Sequence, residues 1–164
     1  MAELLYQDGM IRMESVSQVT QTPSHNLGER CTFNGEEYVY AYNAGGGSIA
    51  TTTAKGVKFI TNASGYSIAA TALTDVYSPF AGIVKHAAMA SGDYGWIMVR
   101  GFATVSVVSA STGEAKMVAL GAAGSFIEAS GTTVGGTAAV VGMILSSHNT
   151  AAGGSVYGFF KANA

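Results

Sequence analysis

Apolar and polar residues in this chain alternate in short runs cut by glycine, a pattern that predicts strands. Glu29 to Phe33 and Glu37 to Tyr42 flank Asn34-Gly35, the strongest short signal for a two-residue hairpin. In the second of these strands Tyr38, Tyr40 and Tyr42 fall on one face, with Val39 and Ala41 on the other. Gly45-Gly46-Gly47 ends it, and Val57 to Thr61 forms a further strand before Asn62-Ala63-Ser64-Gly65. The clearest unit runs from Gly82 to Ala88, through a turn at Ser91-Gly92-Asp93-Tyr94-Gly95, into a long run from Trp96 to Val108. Gly101 inside that run predicts a bulge or sharp bend. Met117 to Leu120, Ser125 to Ala129, Ala138 to Leu145 and Ser155 to Phe160 complete the set. Glycine recurs every few residues and long Glu/Lys/Leu runs are absent, so helix signals are poor. Short strands with turns at roughly 8–12-residue spacing predict an all-β single domain, a small barrel or sandwich.

The first 26 residues differ. They carry Leu4, Leu5, Tyr6, Met10, Ile11 and Met13 among polar residues, then Thr22-Pro23-Ser24-His25-Asn26, with no hairpin signal. Residues 1–26 read as an extended N-terminal arm that orders on docking, leading into a β domain over 27–164. An edge strand with a flexible tip is the alternative, since chain ends are often poorly ordered. The apolar residues named above are the candidate contact residues. Alternating anchors of this kind suit strand addition to an exposed sheet edge.

Composition changes the picture most through what is scarce. Charged residues are 11% of the chain, where an ordinary globular domain has about 25%. Twenty-two glycines and a background of Ala, Ser, Thr and Val stand in their place. Such a surface suits a protein packed against copies of itself or a partner, and it argues against an acid–base enzyme. The net charge is −2, and of the basic residues only Lys55 and Lys58 lie close together. No basic patch for nucleic acid results. Glu3 and Asp8 precede any apolar run, so no signal peptide is expected, and no apolar stretch is long enough for a membrane helix. Cys31 is the only cysteine, which fits folding in reducing cytoplasm and a small buried apolar role.

Candidate chemistry is thin. His25, His86 and His148 are isolated, whereas a zinc site needs three or four convergent ligands, so no metal is expected. Glu36 and Glu37 are successive on a strand and face opposite ways, which predicts a solvated turn in place of a general acid/base pair. Gly45-Gly46-Gly47-Ser48 lacks the Gly-Lys-Ser/Thr of a phosphate loop, and no Gly-x-Ser-x-Gly elbow occurs. Asn62-Ala63-Ser64 fits the glycosylation pattern, but without a secretory signal it reads as chance. The Tyr38/Tyr40/Tyr42 face reads as a core or subunit-interface stripe, with a sugar- or base-stacking platform as the alternative. No cofactor and no small-molecule substrate are expected.

Gly28, Asn34-Gly35, Tyr38-x-Tyr40, Ala81-Gly82, Gly92-Asp93-Tyr94-Gly95-Trp96-x-x-Val99-x-Gly101 and Val141-Gly142-x-Ile144 carry a resemblance. Over about Leu27 to Phe160 the chain resembles the small capsid decoration, or cement, proteins of tailed bacteriophages. Gly-Asp-Tyr-Gly-Trp is the most specific part. The resemblance implies a compact β-tulip-like fold and homotrimers on the outside of the head lattice. It further implies contact with the major capsid protein, no catalysis, and a protein made in the host cytoplasm and carried on the virion exterior. In several such families an N-terminal arm reaches onto the shell. This chain shows no compact helical insertion, which leaves the subtype open. Two other readings stand beside it: another virion subunit such as a head-fibre base, tail or baseplate part, and a small carbohydrate-binding β module using the tyrosine face.

Overall fold

The computed structural model describes residues 16–49, 53–60, 66–69, 80–107, 117–120, 124–128, 142–144 and 154–162. Every element named among them is a strand. These are β1 (Val19–Thr20), β2 (Arg30–Phe33), β3 (Glu36–Asn43), β4 (Lys55–Phe59), β5 (Ser67–Ala69) and β6 (Phe80–Val84). They continue as β7 (Tyr94–Val107), β8 (Met117–Leu120), β9 (Phe126–Glu128), β10 (Gly142–Ile144) and β11 (Gly154–Lys161).

The β2–β3 hairpin forms where Asn34-Gly35 requires it. Asn34 has φ of 49° and Gly35 of 77°, the pair of positive values that a type I′ turn needs. Cys31 faces Tyr38 across the hairpin, and Arg30 faces Val39.

β7 organises the rest. Its 14 residues extend about 46 Å at roughly 3.3 Å each, long enough to serve different neighbours along its length. Residues from Tyr94 to Arg100 pair antiparallel with β3, and residues from Arg100 to Val107 pair antiparallel with β11. Met98 also pairs with Ile83 of β6, and Val107 pairs parallel with Phe126 of β9. The sheet order is β11-β10-β8-β9-β7-β6-β4-β5-β3-β2. The added pairings of β7 with β11 and β3 turn this path back on itself at both sides of β7. The domain is therefore all-β, as the patterning predicts, but it is one branched sheet wound about β7. It is not a clean barrel, because one strand is shared between both windings.

The bulge expected near Gly101 is present. Glu37 pairs with Arg100 and Tyr38 with Met98, which leaves Val99 as an extra residue on β7. Gly101 follows at φ of 150°. A Cβ there would lie 2.8 Å from Glu36 Cγ and 2.9 Å from Met98 Sδ, so the close approach needs glycine.

The core gathers Tyr38, Tyr40, Val57, Ile68, Ile83, Ile97, Met98, Val105, Phe126 and Phe160, all fully buried. Each contributes about 1.5–3 kcal/mol by leaving water. Polar satisfaction comes from Asn43, also fully buried. Its amide donates to the carbonyls of Gly47, Met89 and Ala90 at 3.0, 3.0 and 2.9 Å, and its oxygen accepts from the Gly45 N–H at 3.1 Å. The Gly45–Ser48 turn is thereby tied to the turn before β7.

The extended segment expected over residues 1–26 is described from Val16 onward. There it lies on the domain. Val16 is buried, Val19 and Thr20 pair with Gly95 and Tyr94, and the Ser24 N–H donates to the Tyr40 hydroxyl at 3.1 Å. Packing thus begins before Leu27, the start expected for the β domain. Leu4, Leu5, Tyr6, Met10, Ile11 and Met13 lie outside the described residues, as do His148 and Asn62-Ala63-Ser64.

Candidate interaction surface

The tyrosine stripe is core and not a platform. Tyr38 and Tyr40 are fully buried, and only Tyr42 is partly open, packed against Tyr94 with centroids 4.7 Å apart. Tyr40 packs edge-on against Trp96 at 5.2 Å, and His25 packs against both rings at 5.1 and 5.0 Å. The stacking platform considered for these tyrosines is closed, because the strand that carries them lies inside the sheet winding.

A different aromatic group faces outward. Along the second half of β7, Arg100, Phe102, Thr104 and Ser106 point away from the core while Gly101, Ala103, Val105 and Val107 point in. On β11 the outward residues are Ser155, Tyr157, Phe159 and Lys161. The register sets Arg100 beside Lys161, Phe102 beside Phe159, Thr104 beside Tyr157, and Ser106 beside Ser155. The face is thus a ladder with cations at one end, three aromatic rings in the middle and hydroxyls at the other end. Phe102 stacks on Tyr157 with centroids 5.6 Å apart and planes 9° apart, and meets Phe159 edge-on at 5.2 Å. Phe102 is 40% and Tyr157 45% exposed; with Leu27 at 38% they are the only large apolar side chains so open among the described residues.

The backbone under Phe102 is held by side chains where pairing with β3 has ended. Glu36 Oε1 accepts from the Phe102 N–H at 3.2 Å, and Lys85 Nζ donates to the Phe102 carbonyl at 2.8 Å. Lys85 also donates to both Glu36 oxygens at 2.7 Å. The Tyr38 hydroxyl donates to Glu36 Oε2 at 2.5 Å, and its oxygen lies 2.8 Å from His86 Nε2. With the Tyr38 hydroxyl proton directed at Glu36, His86 Nε2–H is the donor to the Tyr38 oxygen. Glu36 is therefore no solvated turn residue, contrary to the sequence expectation. The bulge at Val99 brings it and Lys85 to the edge that β3 leaves open. Glu37 does sit in solvent, bonded to Arg100 at 2.8 Å.

These contacts set the charges. Burial opposes ionisation of Glu36, but hydrogen bonds from Lys85 and Tyr38, the Lys85 charge and the Phe102 N–H outweigh it and hold the carboxyl below its usual range. Burial, then the Lys85 charge, lower His86, against a smaller opposing pull from Glu36. Burial and then the Glu36 bond raise Tyr38. Burial and then the nearby Glu29 charge push the Cys31 thiol up to about 12, so it is protonated at neutral pH and buried as expected. Among the described residues, no group of three or more His, Cys, Asp or Glu is placed to hold a metal ion, and no helix is long and apolar enough to cross a membrane.

Comparison of the chain with protein-family models, with curated proteins and with solved structures gives no match.

Proposed function

We propose that this chain is a structural virion protein that binds the outer surface of an assembled phage head as a decoration or cement protein and stabilises the lattice. It contacts the major capsid protein, assembles as a homotrimer on the virion exterior, and performs no catalysis. It uses neither a cofactor nor a small-molecule substrate. The observation that carries this reading is the outward ladder of Phe102, Tyr157 and Phe159 on a β domain poor in charge. Aromatic rings in a hydroxyl-rich setting are the composition of a contact surface, and little charge must be desolvated when it closes. The resemblance over Leu27 to Phe160 supplies the phage context.

Binding only the assembled shell stabilises that shell by mass action. Three copies of one contact convert weak single contacts into strong attachment. In this reading Leu4, Leu5, Tyr6, Met10, Ile11 and Met13 add anchors by strand addition to a neighbour's sheet edge. The test is electron microscopy of phage heads that lack this protein, before and after it is added back. Ordered density at repeated lattice positions on the outer surface is expected. Bare heads at saturating protein would end the proposal.

A further inference from the structure

We infer that Asn34 is a site of spontaneous chemical modification, where the side-chain amide is lost through a succinimide, and that the isoaspartyl product loosens the grip of Glu36 on β7. The inference concerns the free chain and stands independently of the proposed function.

Three observations at the β2–β3 turn lead there. First, Asn34 is followed by Gly35, whereas Asn26, Asn43, Asn62, Asn149 and Asn163 are each followed by a residue with a side chain. A following glycine leaves its backbone nitrogen open to the asparagine Cγ. The fold preserves that opening, because nothing lies within 4 Å of the place a Gly35 Cβ would occupy. Second, both turn residues are exposed to water, and the ladder pairs Phe33 with Glu36 and leaves Asn34 and Gly35 outside it. Third, the turn stands at the end of the sheet path, where β2 is the last strand and pairs with β3. Exposed tips of this kind open locally at little cost. Opening is needed, because the closed type I′ turn does not present the Gly35 nitrogen to Asn34 Cγ in ring geometry, and the peptide unit between them must rotate first.

The step balances with water as its only co-reactant. The Gly35 nitrogen gives up its proton and bonds to Asn34 Cγ. The Cγ–Nδ2 bond breaks, and Nδ2 takes up that proton and leaves as ammonia. Water then opens the ring at one of its two carbonyls. One product is aspartate; the other is an isoaspartyl linkage, whose main chain runs through Cγ and gains one carbon. Either adds one negative charge to a chain of net charge −2.

The two products act differently on the fold. Asp-Gly suits a type I′ turn as Asn-Gly does, so the aspartyl form keeps the hairpin. The isoaspartyl linkage lengthens a turn whose two residues set the register of Phe33 with Glu36. Glu36 is the first residue beyond that turn, and it holds both the Phe102 N–H and Lys85. A shift at the turn is thereby passed to the second half of β7.

The test is incubation of the purified full-length chain at mildly alkaline pH, beside Asn34→Gly, whose Gly-Gly pair also suits the turn. Isoelectric focusing reads the new charge, and peptide mapping by mass spectrometry assigns it and separates the two products. Hydrogen exchange then reads the Phe102 N–H in each fraction. A wild-type species with one more negative charge is expected, mapped to residue 34 and formed at least tenfold faster than at any other asparagine. Asn34→Gly is expected to gain no charge over the same time. If that variant fails to fold, Asn34→Asp replaces it, and its charge should likewise hold steady. The isoaspartyl fraction is expected to exchange the Phe102 N–H at least tenfold faster than fresh chain, and the aspartyl fraction as fresh chain does. Asn34 left intact after another asparagine has converted overturns the inference. So does charge gained by the control variant at the wild-type rate, or an isoaspartyl fraction that protects Phe102 as fresh chain does.

Discussion

The two halves of β7 use similar residues to opposite ends. From Trp96 to Val99 every side chain is buried, and Trp96 is enclosed by Tyr40 and His25. From Arg100 onward burial alternates, and Phe102 stands out of the sheet beside Tyr157. The change comes at the Val99 bulge, where β3 gives way as neighbour and a side-chain pair, Glu36–Lys85, takes over the open edge. An aromatic residue on a strand is neither core nor contact by nature. What covers its face decides.

The two halves should differ most in what they contribute to stability. Trp96→Ala should cost about 3–5 kcal/mol, read from chemical denaturation followed by circular dichroism, because a large ring is removed from a closed core. Tyr157→Ser, on the outer half, should cost less in the same assay, about 0.5–1.5 kcal/mol, because it removes a half-open ring stacked on Phe102. Equal losses at the two sites would mean that the halves are not distinct.

Gly101→Ala tests the junction itself. A Cβ at 2.8 Å from Glu36 Cγ forces that side chain to move, on a backbone with φ of 150°. A loss of about 1–3 kcal/mol is expected. Lys85→Met should cost about 1–2 kcal/mol, less than for a fully enclosed pair because both groups keep some water, and it leaves Glu36 without its cation.

The same network predicts a pH profile. Glu36 and His86 are both lowered from their ordinary values of 4.5 and 6.5, so on acidification the unfolded chain takes up each proton first. Their stabilisation is present above those ordinary values and is lost below: His86 begins to cost stability under pH 6.5, Glu36 under pH 4.5. Cys31 acts at the other end. Raised from 9.0 to about 12, it favours the folded state below pH 9 and loses that advantage as the unfolded thiol ionises above it. The melting temperature should be flat between about pH 6.5 and 9 and fall on both sides. In Lys85→Met the acid-side fall should be shallower, since Glu36 is then less depressed. The smallest effect is expected at Arg100→Gln. That pair is 53% and 40% exposed, and its loss should cost between about 0 and 1 kcal/mol.

Much of this sheet is legible in the sequence, and the reasons are local. Asn34-Gly35 dictates its own turn, and Gly101 marks its own bend. Two short strands, Val19–Thr20 and Ser67–Ala69, carry too few residues to show a period and depend on distant partners. The branching at β7 is also a long-range fact. The outward aromatic face, by contrast, leaves a readable signal. Phe102 lies in register with Arg100, Thr104 and Ser106, and Tyr157 with Ser155 and Lys161, so each ring sits in a polar column. Treating Trp96 to Val108 as one apolar run hides that alternation. The Glu36–Lys85 clamp had no such signal, since it joins residues 49 positions apart across a bulge.

If the chain strengthens a shell as proposed, heat reveals it. Phage heads lacking the protein are warmed with and without the purified chain, and the rupture temperature is read by release of packaged DNA to an intercalating dye. A higher rupture temperature is expected with the chain, saturating as the lattice positions fill. Rupture at the same temperature, with the chain left in the supernatant after the heads are pelleted, would contradict it.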